Sequence, residues 1–324
     1  MSVMVTKYYS IVILFCLLLL QAVEVSDILA KPDEQLYSSI TLDMYVLDQD
    51  GTKAPGDLLC NTNTITRRSF GCTAYPGNPD LEYPFNSNEE NINIESDIRT
   101  IVINGGNEQV ELGYLHNVTP HELDIAAGSQ GNKPLASVIA QAIASRTFAY
   151  YHINLSSNID NAANGFQVYI PFRYRQFTQA QKQRVNAALA EVFYMTANGS
   201  SAPIRAHFGS DNYGDTQDGG ESYLKPVDDP ISASYGQDIG TSNGGMSSKG
   251  ASRWGFGHTS SRGPVAPNNP LYPHDNQGNG DFWIRWEEAF QILTHYYTGI
   301  HIRNANKYHC YAYISLEPAA CHLG

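Results

Sequence analysis

Thr119, Pro120, His121 and Glu122 place a carboxylic acid beside an imidazole near the middle of the chain, in the stretch "NVTPHELD". Read as helix chemistry, Thr119 is an N-cap, Pro120 suits the first helical position and Glu122 completes T-x-x-E, a capping box. Read as metal chemistry, His121–Glu122 begins H-E-x-x-H, but the second histidine would fall at 125, where the chain has Ile125. That excludes the zinc-protease pattern. Read as acid–base chemistry, Glu122 is a general acid that needs surroundings keeping it protonated.

A second group lies downstream. In "KPLASVIAQAIASRTFAYYHI", Leu135, Ile139, Ala142, Arg146, Ala149 and Ile153 alternate at spacings of four and three, which predicts an amphipathic helix. Arg146 falls on the apolar stripe. It either snorkels to water or, if buried, needs a partner for its charge.

These residues must be positioned by a folded, exported chain. The 324 residues suffice for a large core, and 42% hydrophobic with 16% charged residues describes a globular protein. With 20 Lys and Arg against 32 Asp and Glu, and no basic run, a nucleic-acid partner is disfavoured. The N-terminal "YYSIVILFCLLLLQAV" reads as a signal peptide, cleaved after Ala22 or Ala30, or as an uncleaved membrane anchor. Either places residues 31 onward outside the cytoplasm. Cys60, Cys72, Cys310 and Cys321 then predict two disulfides, the local pairs Cys60–Cys72 and Cys310–Cys321 being favoured over the other connectivities. His309 and His322 flank the last pair, but the spacing fits no standard zinc pattern.

Residues 36 to 110 alternate apolar and polar positions between Gly, Asn and Pro clusters, which predicts strands and turns. After the helix bearing Arg146, a second is expected over "TQAQKQRVNAALAEVFYMTANG", capped by Thr178 and stopped by Gly199. A third is expected over "DFWIRWEEAFQILTHYYTG", from near Asp281 to Gly299. Residues 203 to 280 read as short strands with long loops. Together these predict one α+β unit with a β-rich N-terminal portion.

"YLHNVTPHEL" followed by "PLASVIAQAIASRTFAYY" resembles the SpoIID/LytB family of sporulation and cell-wall proteins. "IRAHFGSDNYGDT", "SYLKPVDDP", "GGMSSKGASRWG" and "QILTHYYTGIHI" resemble its later blocks, in order, over about 111 to 303. Residues 1–30 are then a signal or anchor, 31–110 a β-rich portion, 111–303 a SpoIID-like domain and 304–324 a cysteine-bearing tail. The resemblance implies a peptidoglycan lytic transglycosylase acting on peptide-free glycan strands; no cofactor and no metal are expected. It implies Glu122 as the catalytic acid and Arg146 and Tyr150 as substrate-site residues; Tyr223 and Tyr297 are further candidates for stacking on sugars. The related LytB proteins imply an alternative, a non-catalytic glycan binder that assists a cell-wall amidase. Ile139 stands where the family has Lys, and Ser242 where it has His.

Overall fold

The computed structural model describes residues 39–45, 53, 55–56, 100–103, 106–109, 113–123, 133–162, 166–167, 169, 174, 177–211, 214–232, 244–258, 285–304, 307–312 and 318–319. The N-terminal apolar segment, Cys60, Cys72, Cys321 and Ser242 lie outside them, and so do the disulfide pairings. No helix among the described residues is long and apolar enough to cross a membrane.

The architecture is α+β, as the sequence predicts. Two four-stranded sheets flank a helical centre. The first has the order β3-β2-β1-β4, built from β1 (Ser39–Asp43), β2 (Thr100–Ile103), β3 (Gly106–Gln109) and β4 (Ile159–Asp160). β1 runs parallel to both β2 and β4, while β2 and β3 are antiparallel. The second sheet is an antiparallel series, β5 (Phe193–Ala197), β8 (Ile300–Asn304), β9 (Lys307–Ala312) and β10 (Pro318–Ala319). It runs on through β9 and β10 into the segment expected to be a tail. A short parallel pair, β6 (Phe208–Gly209) and β7 (Met246–Ser247), completes the strands.

The helices are α1 (Tyr114–Glu122), α2 (Leu135–Asn154), α3 (Gln179–Leu189), α4 (Ser248–Phe256) and α5 (Ala289–Tyr296). From Ala136 to Tyr150 every residue of α2 except Ile139 is buried, so this is a central helix rather than an amphipathic surface one. One of its faces packs with Tyr114, Leu115, Val118, β1 and α3; the other packs with β5, α4, α5 and β8. Two apolar clusters therefore share one helix.

Three expected elements differ from those observed. α3 begins as predicted at Thr178, whose Oγ1 accepts the Gln181 N–H while Gln181 returns the bond, a complete capping box. It stops at Leu189, because "FYMTA" is strand-favouring and pairs with β8. Gly199 turns the chain after that strand, with φ +76°. α5 begins at Ala289 rather than near Asp281, after Glu288. Within 203 to 280, expected to hold only strands and loops, α4 forms. Ser247 caps it by accepting the Gly250 N–H at 2.9 Å, and left-handed Gly257 ends it.

Candidate functional site

Glu122 is the last residue of α1, and the expected capping box is absent. The helix starts six residues earlier than predicted, after Gly113, which puts Thr119 and Pro120 inside it and Glu122 at its carbonyl end. Pro120 has no N–H to offer four residues back, so α1 is held by packing. Tyr114 through Pro120 are all buried, whereas His121 and Glu122 are half-buried at the edge. Asn117 fixes the helix from inside: its Nδ2 donates to Gly113 O at 3.3 Å and its Oδ1 accepts the Tyr174 N–H at 3.1 Å. His116 packs edge-on against Tyr174, and His121 lies 6.4 Å from the Phe177 ring.

This placement decides how the helix dipole acts on Glu122. A helix N-terminus would favour a carboxylate; the C-terminal end, with its outward carbonyls, disfavours negative charge. Inside, the Tyr114 hydroxyl is pushed well above its ordinary pKa, first by burial and then by the charge of Glu122, with smaller effects of Tyr169 and Asp160. Glu122 is thus within electrostatic reach of a neutral, buried phenol. That phenol stacks on Tyr169, with ring centroids 5.4 Å apart and planes at 16°.

A buried polar chain leads away from Tyr114. Its hydroxyl donates to Gln167 Oε1 at 2.8 Å, and Gln167 Nε2 donates to Ser145 O at 3.0 Å. On the same turn of α2, Gln141 Nε2 donates to Ser145 Oγ at 3.3 Å, and Ser248 Oγ donates to Gln141 Oε1 at 2.8 Å. Buried polar atoms are costly unless paired, so this chain fixes α1, α2 and α4 in one arrangement.

Asp160 is the carboxylate that the fold adds to this region. It is 7% exposed, with Oδ2 paired to Lys53 at 2.9 Å and Oδ1 accepting the Ala162 N–H at 2.9 Å. Nothing in the sequence places it near Tyr114; the β1–β4 pairing does so.

The remaining predicted residues are buried. Arg146 does not snorkel: it is fully buried and donates through Nη1 to Phe193 O at 2.9 Å, at the start of β5. Tyr150 shares the apolar cluster of Leu123 and α1 and meets the Tyr194 ring edge-on at 5.6 Å. Tyr223 and Tyr297 belong to the cluster on the other face of α2. Both rings are covered by protein, and their hydroxyls hold a single segment. Tyr223 accepts the Arg205 N–H at 3.1 Å, and Tyr297 donates to His207 O at 2.8 Å. Burial raises the pKa of both phenols.

A second polar centre, absent from the sequence reading, joins α4 to α5. Asp229 is fully buried and accepts from Trp254 Nε1 at 2.8 Å, Tyr296 OH at 2.7 Å and Ser232 Oγ at 2.9 Å. His295 Nε2 approaches it at 3.6 Å. Arg253 binds Asp211 through two bonds, at 2.9 and 2.8 Å, and Ser232 through a third at 2.9 Å. Breaking such a pair leaves a buried charge, which gives this centre an architectural role. Among the described residues no three His, Cys, Asp or Glu side chains converge in a way that could hold a metal.

No protein-family model matches the chain, and no curated protein matches it.

Proposed function

We propose that the protein is an exported, peptidoglycan-degrading lytic transglycosylase that cleaves peptide-free glycan strands, with Glu122 as general acid and then base. The observation that carries this reading is the position of Glu122: a half-buried carboxyl at the carbonyl end of an otherwise buried helix. A catalytic acid must hold its proton until the leaving oxygen arrives, and a site that disfavours negative charge serves that need.

Asp160 bears on the reaction type. Hydrolysis of a glycosidic bond normally uses two carboxylates, the second as base or nucleophile. Asp160 acts on the same tyrosine as Glu122, yet both of its oxygens are engaged, by Lys53 and by the Ala162 N–H. With Asp160 engaged, a single reacting carboxyl suits intramolecular attack. Glu122 protonates the glycosidic oxygen, the C6 hydroxyl of the muramic acid attacks its own anomeric carbon, and Glu122 accepts the hydroxyl proton. The products are a new reducing-side strand and a 1,6-anhydro end, and no water is consumed.

Arg146 and Tyr150 serve this reading as positioning residues. They fix α2 against β5 while α1 packs on the same helix. Tyr223 and Tyr297 position the 205–207 segment. The test is Glu122→Gln, which keeps the side-chain shape and removes the acid. Loss of glycan cleavage with the fold intact is the expected result; normal cleavage by this variant removes Glu122 from the mechanism.

A further inference from the structure

The segment Ile204–His207 is held more tightly than a connecting strand requires. The Ala206 N–H donates to Ile204 O at 2.9 Å and the His207 N–H to Arg205 O at 2.7 Å, two successive γ-turns. Among the described residues Ser156 is the one non-glycine with positive φ, so both turns are of the inverse kind. Tyr223 takes the Arg205 N–H, while His207 O accepts from Tyr297 and from the Met246 N–H at 3.2 Å. Gly245 leaves room for that carbonyl: a Cβ there would lie 1.9 Å from His207 O.

Two side chains are displayed by this clamp. Arg205 is exposed and has no ion pair or side-chain hydrogen bond among the described residues, in a chain where acids outnumber bases by 32 to 20. Its charge is felt at His152 and at the Tyr223 hydroxyl. His207 is half-buried, with Nδ1 3.2 Å from Gly244 O. A carbonyl only accepts, so Nδ1 carries the hydrogen, which in an uncharged ring leaves the lone pair at Nε2. The ring orientation and tautomer are thus fixed by the main chain of the facing loop.

We infer that Arg205 and His207 form a recognition pair for a sugar acid, the guanidinium taking a carboxylate and His207 Nε2 accepting a hydrogen bond from a neighbouring hydroxyl. The inference rests on the glycan reading above and names what the protein recognises in the strand. A peptide-free strand exposes the lactyl carboxylate of each muramic acid, which a stem peptide would otherwise consume as an amide. Arginine suits that group because its planar fork matches a carboxylate.

The test measures binding of the full-length Glu122→Gln protein to peptide-free glycan strands and to the same strands with their carboxyl groups reduced to alcohols. Removing a charge-assisted bond should weaken binding of the reduced strands roughly tenfold. Arg205→Gln should bring the ratio of the two affinities to about one by weakening binding of the unreduced strands, and Arg205→Lys should retain part of the preference. His207→Gln, which keeps a donor for Gly244 O, should weaken both strands without changing the ratio. A merely structural role would not alter the ratio through Arg205. Equal binding of both strands, binding of neither, or an Arg205→Gln variant with the preference intact overturns the inference. Discrimination without cleavage by the unsubstituted protein keeps the inference and removes the lytic reading. Cleavage with equal binding does the reverse.

Discussion

Replacing Gly250 with alanine should destabilise the protein although it lies inside a helix, where that change normally gains about 1 kcal/mol. A Cβ at 250 would lie 2.1 Å from the Tyr296 hydroxyl, 2.7 Å from Asp229 Oδ2 and 2.9 Å from Ser247 Cβ. Tyr296 must move, which breaks its 2.7 Å bond to Asp229. A hydrogen bond to a charged group contributes about 1.5–3 kcal/mol, and overpacking costs about 1–3 kcal/mol more. Less the propensity gain, the expected net loss is about 3 kcal/mol. Tyr296→Phe alone removes the hydroxyl while Asp229 keeps Ser232 and Trp254, for a loss of about 2 kcal/mol. In the double variant the nearest clash is gone and the lost bond counts once, so the total should fall short of the sum by at least about 1 kcal/mol. Urea unfolding with an unchanged m-value gives all three numbers. A Gly250→Ala protein as stable as the parent, or a double variant additive within about 0.5 kcal/mol, refutes the packing argument.

Three further outcomes are expected. Thr178→Ala should cost about 1 kcal/mol by opening the capping box of α3, and a change below about 0.3 kcal/mol in the unfolding midpoint analysis contradicts it. His152 has its pKa lowered to about 4, by burial first and then by Arg205, so the folded state favours the neutral ring and the unfolded state binds more protons. Its stabilising contribution is complete above about pH 6.5 and is lost as pH falls through about 4; His152→Gln should flatten the Tm-versus-pH curve across that window, and an unchanged slope contradicts the assignment. Asp160→Asn should lower stability through the loss of the Lys53 pair while glycan cleavage, with anhydro ends, persists; abolished cleavage in a folded variant makes Asp160 a reacting group.

The parts legible in the sequence are those where local chemistry and tertiary packing agree. α2 spans almost the predicted residues because its alanines and aliphatics favour helix and also fill the core. Thr178 caps α3 as Thr-x-x-Gln predicts. Thr119-x-x-Glu122 carries the same local signal and is overruled, since burying Tyr114, Leu115 and Val118 extends α1 toward the N-terminus. "FYMTA" follows helical periodicity from α3 but finds a strand partner in β8, a long-range pairing no window contains. α4 was hidden by its glycines, whose use emerges only from their neighbours: Gly250 faces Tyr296, and Gly255 faces Pro134 at the start of α2. Glu122 is a candidate from its local motif alone; its position on the helix and the company of Tyr114, Gln167 and Asp160 depend on chain crossings that spacing does not encode.

The most direct measurement of the central claim is the mass of the products released from peptide-free glycan by the purified protein, beside its Glu122→Gln variant. The account predicts 1,6-anhydro ends, lighter by one water than hydrolytic ends, from the unsubstituted protein and no products from the variant. Reducing ends as the main product, or equal cleavage by both proteins, would contradict it; tight binding without cleavage by either would mark a glycan binder that assists an amidase.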